Sequence, residues 1–149
     1  MAVKPVPEGY HSVSPYLSVN GAASAIKFYE QAFGARELFR FPMPDGSIAH
    51  AEIQIGDTRI SLADDNEEAG LLSPQGSSPV GLLLYVDDVD SVFARAVEAG
   101  ATVKRALQDQ FYGDRTGTLQ DPFGHVWFLA THIEDVPMDE LERRAAELA

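Results

Sequence analysis

Within Ser47–Ile55 polar and apolar residues alternate from Ala49 on, and within Thr58–Ala63 they alternate from Arg59 to Leu62, with Gly56-Asp57 between the two runs. A period of two on both sides of a two-residue glycine turn predicts a β-hairpin. Upstream the period lengthens. Ala22, Ala25, Ile26, Tyr29, Ala32 and Phe33 fall on one face of a helix running from about residue 22 to 33. Asn20 stands where an N-cap is expected and Gly34 where a helix stops. A strand precedes the helix at about Val13–Val19, with Pro15 favouring a strand start or an edge. Another follows at Glu37–Phe41 and ends in the turn residues Pro42 to Gly46.

The pattern then repeats. Gly81–Val86 reads as a strand, Asp87 or Asp88 as a cap, and Val89, Val92, Phe93, Ala96 and Val97 as the apolar face of a second helix ended by Gly100. Thr102–Arg105, Gly117–Gln120 and His125–Thr131 read as strands. Phe111 to Arg115 forms a loop and Asp121 to Gly124 a tight turn. Pro137 opens a last helix with Met138, Leu141, Ala145 and Leu148 on one side. The order is βαβββ twice, then a tail helix. The expected fold class is α+β, with paired βαβββ modules forming a curved mixed sheet around a pocket. Boundaries are residues 12–63 for the first module, 64–79 for an acidic, Gly/Ser/Pro-rich linker, 80–134 for the second module and 137–148 for the tail helix. All 149 residues are expected to form one pseudo-symmetric domain, with residues 1–11 as a Pro-rich extended arm.

Composition narrows the function classes. A formal net charge of −12 without a basic cluster argues against nucleic acid or an anionic membrane as partner. The absence of cysteine excludes disulfides, thiolate catalysis and Cys-ligated zinc. No apolar run approaches the roughly 20 residues of a membrane span, and the first residues lack the apolar core of a signal peptide. A cytoplasmic protein is the default expectation.

Phe28-Tyr29 in the first helix, Ala32 to Ala35 at its end and Asp121 to His125 before the last strand resemble the vicinal oxygen chelate superfamily. That group includes glyoxalase I, bleomycin-resistance proteins and extradiol dioxygenases. Val86 to Asp90, Asp109 to Arg115 and Thr131 to Asp135 resemble its PhnB-like branch. The resemblance implies two half-sheets enclosing a pocket. In metal-dependent members it implies a His or carboxylate on the first and fourth strands of each module, where substrate oxygens chelate the ion. Here those four positions fall on Ser14, Ser61, Gly81 and Phe128, none of them a good ligand. No metal and no cofactor are therefore expected there.

Strand alternation assigns the faces. About the Gly56-Asp57 turn, Ile55 opposes Thr58, Gln54 opposes Arg59 and Glu52 opposes Ser61, and opposed residues share a face. His50, Glu52, Gln54, Arg59 and Ser61 thus lie together. Ala51, Ile53, Ile55, Ile60 and Leu62 lie on the other face, which must meet the helices. Ser14, Tyr16 and Ser18 turn inward, as do Gly81, Leu83 and Tyr85, then Val126, Phe128 and Ala130. Trp127 and Leu129 read as core. The candidate ligand-binding set is Tyr16, His50, Glu52, Gln54, Arg59, Ser61, Leu83, Tyr85 and Phe128. It suits an amphipathic organic molecule with its ring on Tyr85 and Phe128 and a polar group at Arg59 and Glu52. Arg59 is expected either to orient an anionic or carbonyl group or to pair with Glu52. His125 is assigned to its turn, His132 with Glu134 to the surface, and Asp114-Arg115 to a loop salt bridge, a subunit contact or pocket closure.

No catalytic residue is identified. The function expected is metal-independent binding or sequestration of a small molecule. The alternative is a lyase, isomerase or dioxygenase with a metal site relocated to His50 and Glu52. A homodimer is expected, with the apolar stripe of the tail helix covered by a second copy or by its own subunit.

Overall fold

The computed structural model describes residues 3–148. Of the expected arm, residues 1 and 2 lie outside the described residues. Contacts divide the chain into two compact units, Met1–Ser77 and Ser78–Ala149, with the boundary inside the expected linker. The first holds β1 (Tyr16–Val19), α1 (Ala22–Phe33), β2 (Arg36–Pro42), β3 (Ile48–Ile55) and β4 (Thr58–Asp64). The second holds β5 (Gly81–Tyr85), α2 (Val89–Ala99), β6 (Thr102–Asp109), β7 (Asp114–Gln120), β8 (Val126–His132) and α3 (Met138–Glu147). The class is α+β. Each unit has a four-stranded mixed sheet of the same order, β1-β4-β3-β2 and β5-β8-β7-β6, whose first strand runs parallel to its last.

The hairpin register is the one alternation predicts: Ile55 opposite Thr58, Gln54 opposite Arg59, Glu52 opposite Ser61. Gly56 takes φ +57 at the first turn position, a conformation that suits glycine. Ala51, Ile53, Ile55, Ile60 and Leu62 are buried with Ala25, Ile26, Tyr29 and Ala32 of α1. In the second unit Leu119, Trp127 and Leu129 are buried, as are Val89, Val92 and Ala96 of α2. The face of each sheet turned away from its helix is the open one.

Four local expectations are corrected. The first strand begins at Tyr16 rather than Val13, because Pro15 carries no N–H and contributes only its carbonyl, to Ser61 N at 3.1 Å. Asn20 does not cap α1. The cap position is Gly21, and the Asp64 carboxylate accepts from Gly21 N at 2.8 Å, Ala22 N at 3.1 Å and Ile48 N at 2.7 Å. The segment 64–79, where the unit boundary falls, is tied to the first sheet: Asp65 accepts from Ser18 Oγ, Ser73 N and Ser73 Oγ. Asp114 and Arg115 lie on strand β7 rather than in a loop, and β6 runs four residues past Arg105 to Asp109.

The second unit repeats the capping device with a different side chain. Asp88 accepts from Ser91 N at 3.3 Å, and Thr131 Oγ1 accepts from Val89 N at 2.9 Å while donating to Val86 O at 2.7 Å. Thr131, at the end of the last strand, stands where Asp64 stands in the first unit. Replacing Asp64 by Ala strands three N–H groups and should cost about 1–3 kcal/mol. Asp64→Asn, which keeps an acceptor oxygen, should cost less. Urea unfolding checks both, and equal midpoints for the two variants would count against the capping role.

Candidate functional site

On the open face of the first unit, Tyr16, Ser61, Glu52 and Phe39 lie side by side across β1, β4, β3 and β2. His50 pairs with Phe41 on the same face. Tyr16 Oη and His50 Nδ1 are hydrogen-bonded at 2.9 Å. The Tyr16, Phe39 and Phe41 rings lie 5.4, 5.6 and 6.3 Å from the His50 ring. Phe39 and Phe41 reach this face because β2 shifts register between Glu37 and Phe39. One extra residue turns every following side chain over. Alternation without that bulge sends both rings to the other side, so nothing in the simple pattern points to them.

Glu52 is the buried charge of this face, 3 % exposed. A carboxylate there needs partners. Arg59 Nη1 lies 3.5 Å from its Oε1, and the Tyr10 hydroxyl donates to the same oxygen. The Tyr10 ring also lies against the Arg59 guanidinium, 4.8 Å from ring centre to Cζ. Hydrogen bonding to the Glu52 carboxylate holds the Tyr10 phenol above its ordinary range. The arm thus supplies a site residue that periodicity does not reveal, since it lies outside every regular element. Gln54 sits at the edge of the cluster, bonded by Arg36 Nη2 and donating to Gly56 O.

The second unit has a different open face. A cleft of about 690 Å³ is lined by Arg105 and Gln108 of β6, Thr116 and Thr118 of β7, Phe128 of β8 and Tyr112 of the preceding loop, among others. Phe128 is 42 % exposed. A Cβ on Gly81 would lie 2.4 Å from Phe128 Cε2, so the ring occupies the space that a side chain on the neighbouring strand would need. Leu83 stands opposite Phe128 in the β5–β8 register and is exposed.

Tyr85 is on the same face but lines a smaller cleft, about 320 Å³, with Val86, Asp87, Thr131 and His132. Its hydroxyl donates to Asp114 Oδ2 at 2.6 Å, and His132 Nδ1 meets Asp114 Oδ1 at 2.7 Å. His132 Nε2 meets Asp135 at 2.7 Å. Asp114, and then Asp135, hold the His132 imidazole above its usual range. Arg115 bonds Asp90 and Asp109, and Arg144 of α3 bonds Glu134, Glu140 and Phe111 O. These pairs tie the strand ends and α3 together within the unit.

The sequence model described as Glyoxalase/Bleomycin resistance protein/Dioxygenase superfamily matches residues 10–129. The chain belongs to that superfamily. An uncharacterized protein of Mycobacterium bovis is 46 % identical over 136 residues, covering 88 % of this chain and 90 % of that one. The PhnB protein of Bacillus cereus has the same fold, with TM-score 0.66 and 17 % identity over 81 % of this chain and 99 % of its own. So does the fosfomycin resistance protein FosX of Listeria monocytogenes, solved with Mn(II), with TM-score 0.63 and 17 % identity over 89 % and 94 %. Ser14, Ser61, Gly81 and Phe128, which the superfamily pattern places at the metal, do not fit an ion. Two hydroxyls are weak donors, and the other two residues have no donor atom. Among the described residues no three His, Asp or Glu side chains converge in a metal-binding group. Nor, among them, is any helix long and apolar enough to cross a membrane.

His132 carries a pH prediction. Its folded-state pKa lies above that of the unfolded chain. Its stabilising contribution is therefore complete below the unfolded value, about 6.5, and fades as pH rises through the folded one. The melting-temperature difference between wild type and His132→Gln should be larger at about pH 5 than at about pH 9. A difference that grows with pH would contradict the Asp114–His132–Asp135 arrangement.

Proposed function

We propose that this chain binds a small organic molecule without a metal at the superfamily's four positions, and acts by holding or sequestering it. The observation that carries this is Phe128. At a position where metal-dependent members need a donor it places an aromatic ring, fitted over Gly81, on the wall of a cleft whose volume suits a drug-sized molecule. The other wall offers Thr116 and Thr118 hydroxyls, the Gln108 amide and the Arg105 guanidinium. A ring on Phe128 with carbonyl or hydroxyl groups toward Thr116, Thr118 and Arg105 satisfies both walls. A second copy of the chain covering the apolar side of α3, where Met138 and Leu148 are exposed, belongs to the same reading.

Thermal-shift screening in the presence of a chelator should yield aromatic ligands. Phe128→Ala should weaken each by about tenfold, the lower range of what an aromatic contact supplies. The half-exposed ring leaves little cavity, so the unliganded melting temperature should hardly move. Arg105→Ala should weaken only those ligands bearing a carbonyl or anion. Ligands indifferent to both substitutions, or binding that the chelator abolishes and Mn(II) or Zn(II) restores, would overturn the reading in favour of another site or a metal-dependent enzyme.

A further inference from the structure

The buried Glu52 and its partner Arg59 are met by a side chain from outside the sheet. Residues 3–15 form no helix or strand, and residues 3–9 are exposed along their whole length. Within this arm Tyr10 makes the contacts that matter: its hydroxyl donates to Glu52 and its ring lies on Arg59. The chain is shaped for that approach. Gly9 takes φ +86, a conformation that favours glycine, and its backbone lies close to the guanidinium, a Cβ there falling 2.9 Å from Arg59 Nη2. Tyr10 N bonds back to Pro7 O at 3.1 Å and closes the turn that presents the ring. A segment with so little else buried opens more readily than the sheet beneath it.

From this we infer that Glu52 and Arg59 form a binding subsite for a neutral hydroxylated aromatic ring, and that Tyr10 is its resident occupant, which such a ligand displaces. The chemistry follows from the two partners. Glu52 is an acceptor with its charge already matched by Arg59, so it takes a hydroxyl donor, whereas a carboxylate brings it no proton. The planar guanidinium offers a face for stacking, which a ring uses and an aliphatic alcohol does not. Phe39, beside Glu52 in the register, continues the aromatic surface. The subsite lies wholly within the first unit and does not depend on the Phe128 cleft.

The test is side-chain replacement by a free analogue. In Tyr10→Ala, p-cresol, the severed tyrosine side chain, should bind at least about tenfold more tightly than to wild type, the factor that one hydrogen bond to a charged group supplies. Toluene, lacking the hydroxyl, and 4-methylbenzoate, an anion, should bind at least as much more weakly than p-cresol. Adding Glu52→Gln to the Tyr10→Ala chain keeps an acceptor oxygen but removes its charge, and should shrink the preference for p-cresol over toluene. Titration calorimetry and chemical-shift changes at Arg59 read all four arms. If Tyr10→Ala does not fold, Tyr10→Phe keeps the ring and removes only the donor, and p-cresol should compete with it more readily than with Tyr10. The inference is overturned if p-cresol binds neither variant better than wild type, or if toluene or 4-methylbenzoate binds as well. Chemical-shift changes at Arg59 report this subsite and those at Phe128 report the cleft, so the two readings are tested separately.

Discussion

Each sheet depends on how its crossover helix is held at the N-terminus. A parallel first and last strand requires a connection over one face, and that helix begins with N–H groups that no helical carbonyl can satisfy. In the first unit Asp64 meets two of them and the N–H of Ile48 besides. In the second unit Thr131 meets the N–H of Val89. Both residues close the strand that pairs with the unit's first strand. One side chain thus fixes the helix to the sheet and the register of that pair. The register decides by alternation which residues the helix covers and which remain on the open face.

The two open faces carry different chemistry on one topology. The first gathers a buried carboxylate, a guanidinium, an imidazole and four aromatic rings, Tyr10, Tyr16, Phe39 and Phe41. The second gathers the Thr116 and Thr118 hydroxyls, the Arg105 guanidinium, the exposed Leu83 and Tyr85, and a phenylalanine over a glycine. Phe128 over Gly81 is a coupled choice. The ring needs the missing side chain, and neither residue offers a donor to an ion. Two residues without a side-chain donor in that half also make an apolar wall. Such exchange of chemistry on a retained scaffold is why the fold alone does not name a reaction.

Much of this was legible in the sequence. The duplicated order, the hairpin register, the division of β3 and β4 into buried and open faces, and the exposed side of β5 follow from period-two patterning and glycine punctuation. What was not legible has physical reasons. The bulge in β2 adds one residue without a turn signal and thereby moves Phe39 and Phe41 onto the open face. Asn20 has capping chemistry, but an aspartate more than forty residues away supplies the cap, a long-range contact that local propensity cannot see. Tyr10 lies in an arm with no periodicity, so its place against Glu52 and Arg59 comes only from the fold. Asp114 and Arg115 sit beside glycine, which reads as a loop, yet pairing with β8 draws them into a strand.

The central claim is that this superfamily member binds an organic molecule directly rather than through an ion. It is tested most directly by elemental analysis and native mass spectrometry of untagged protein purified without chelator. The account predicts a metal content well below one ion per chain, with any co-purifying mass being organic. One ion of manganese, iron, nickel or zinc per chain, surviving dialysis and held by the residues at the superfamily's four positions, would contradict it.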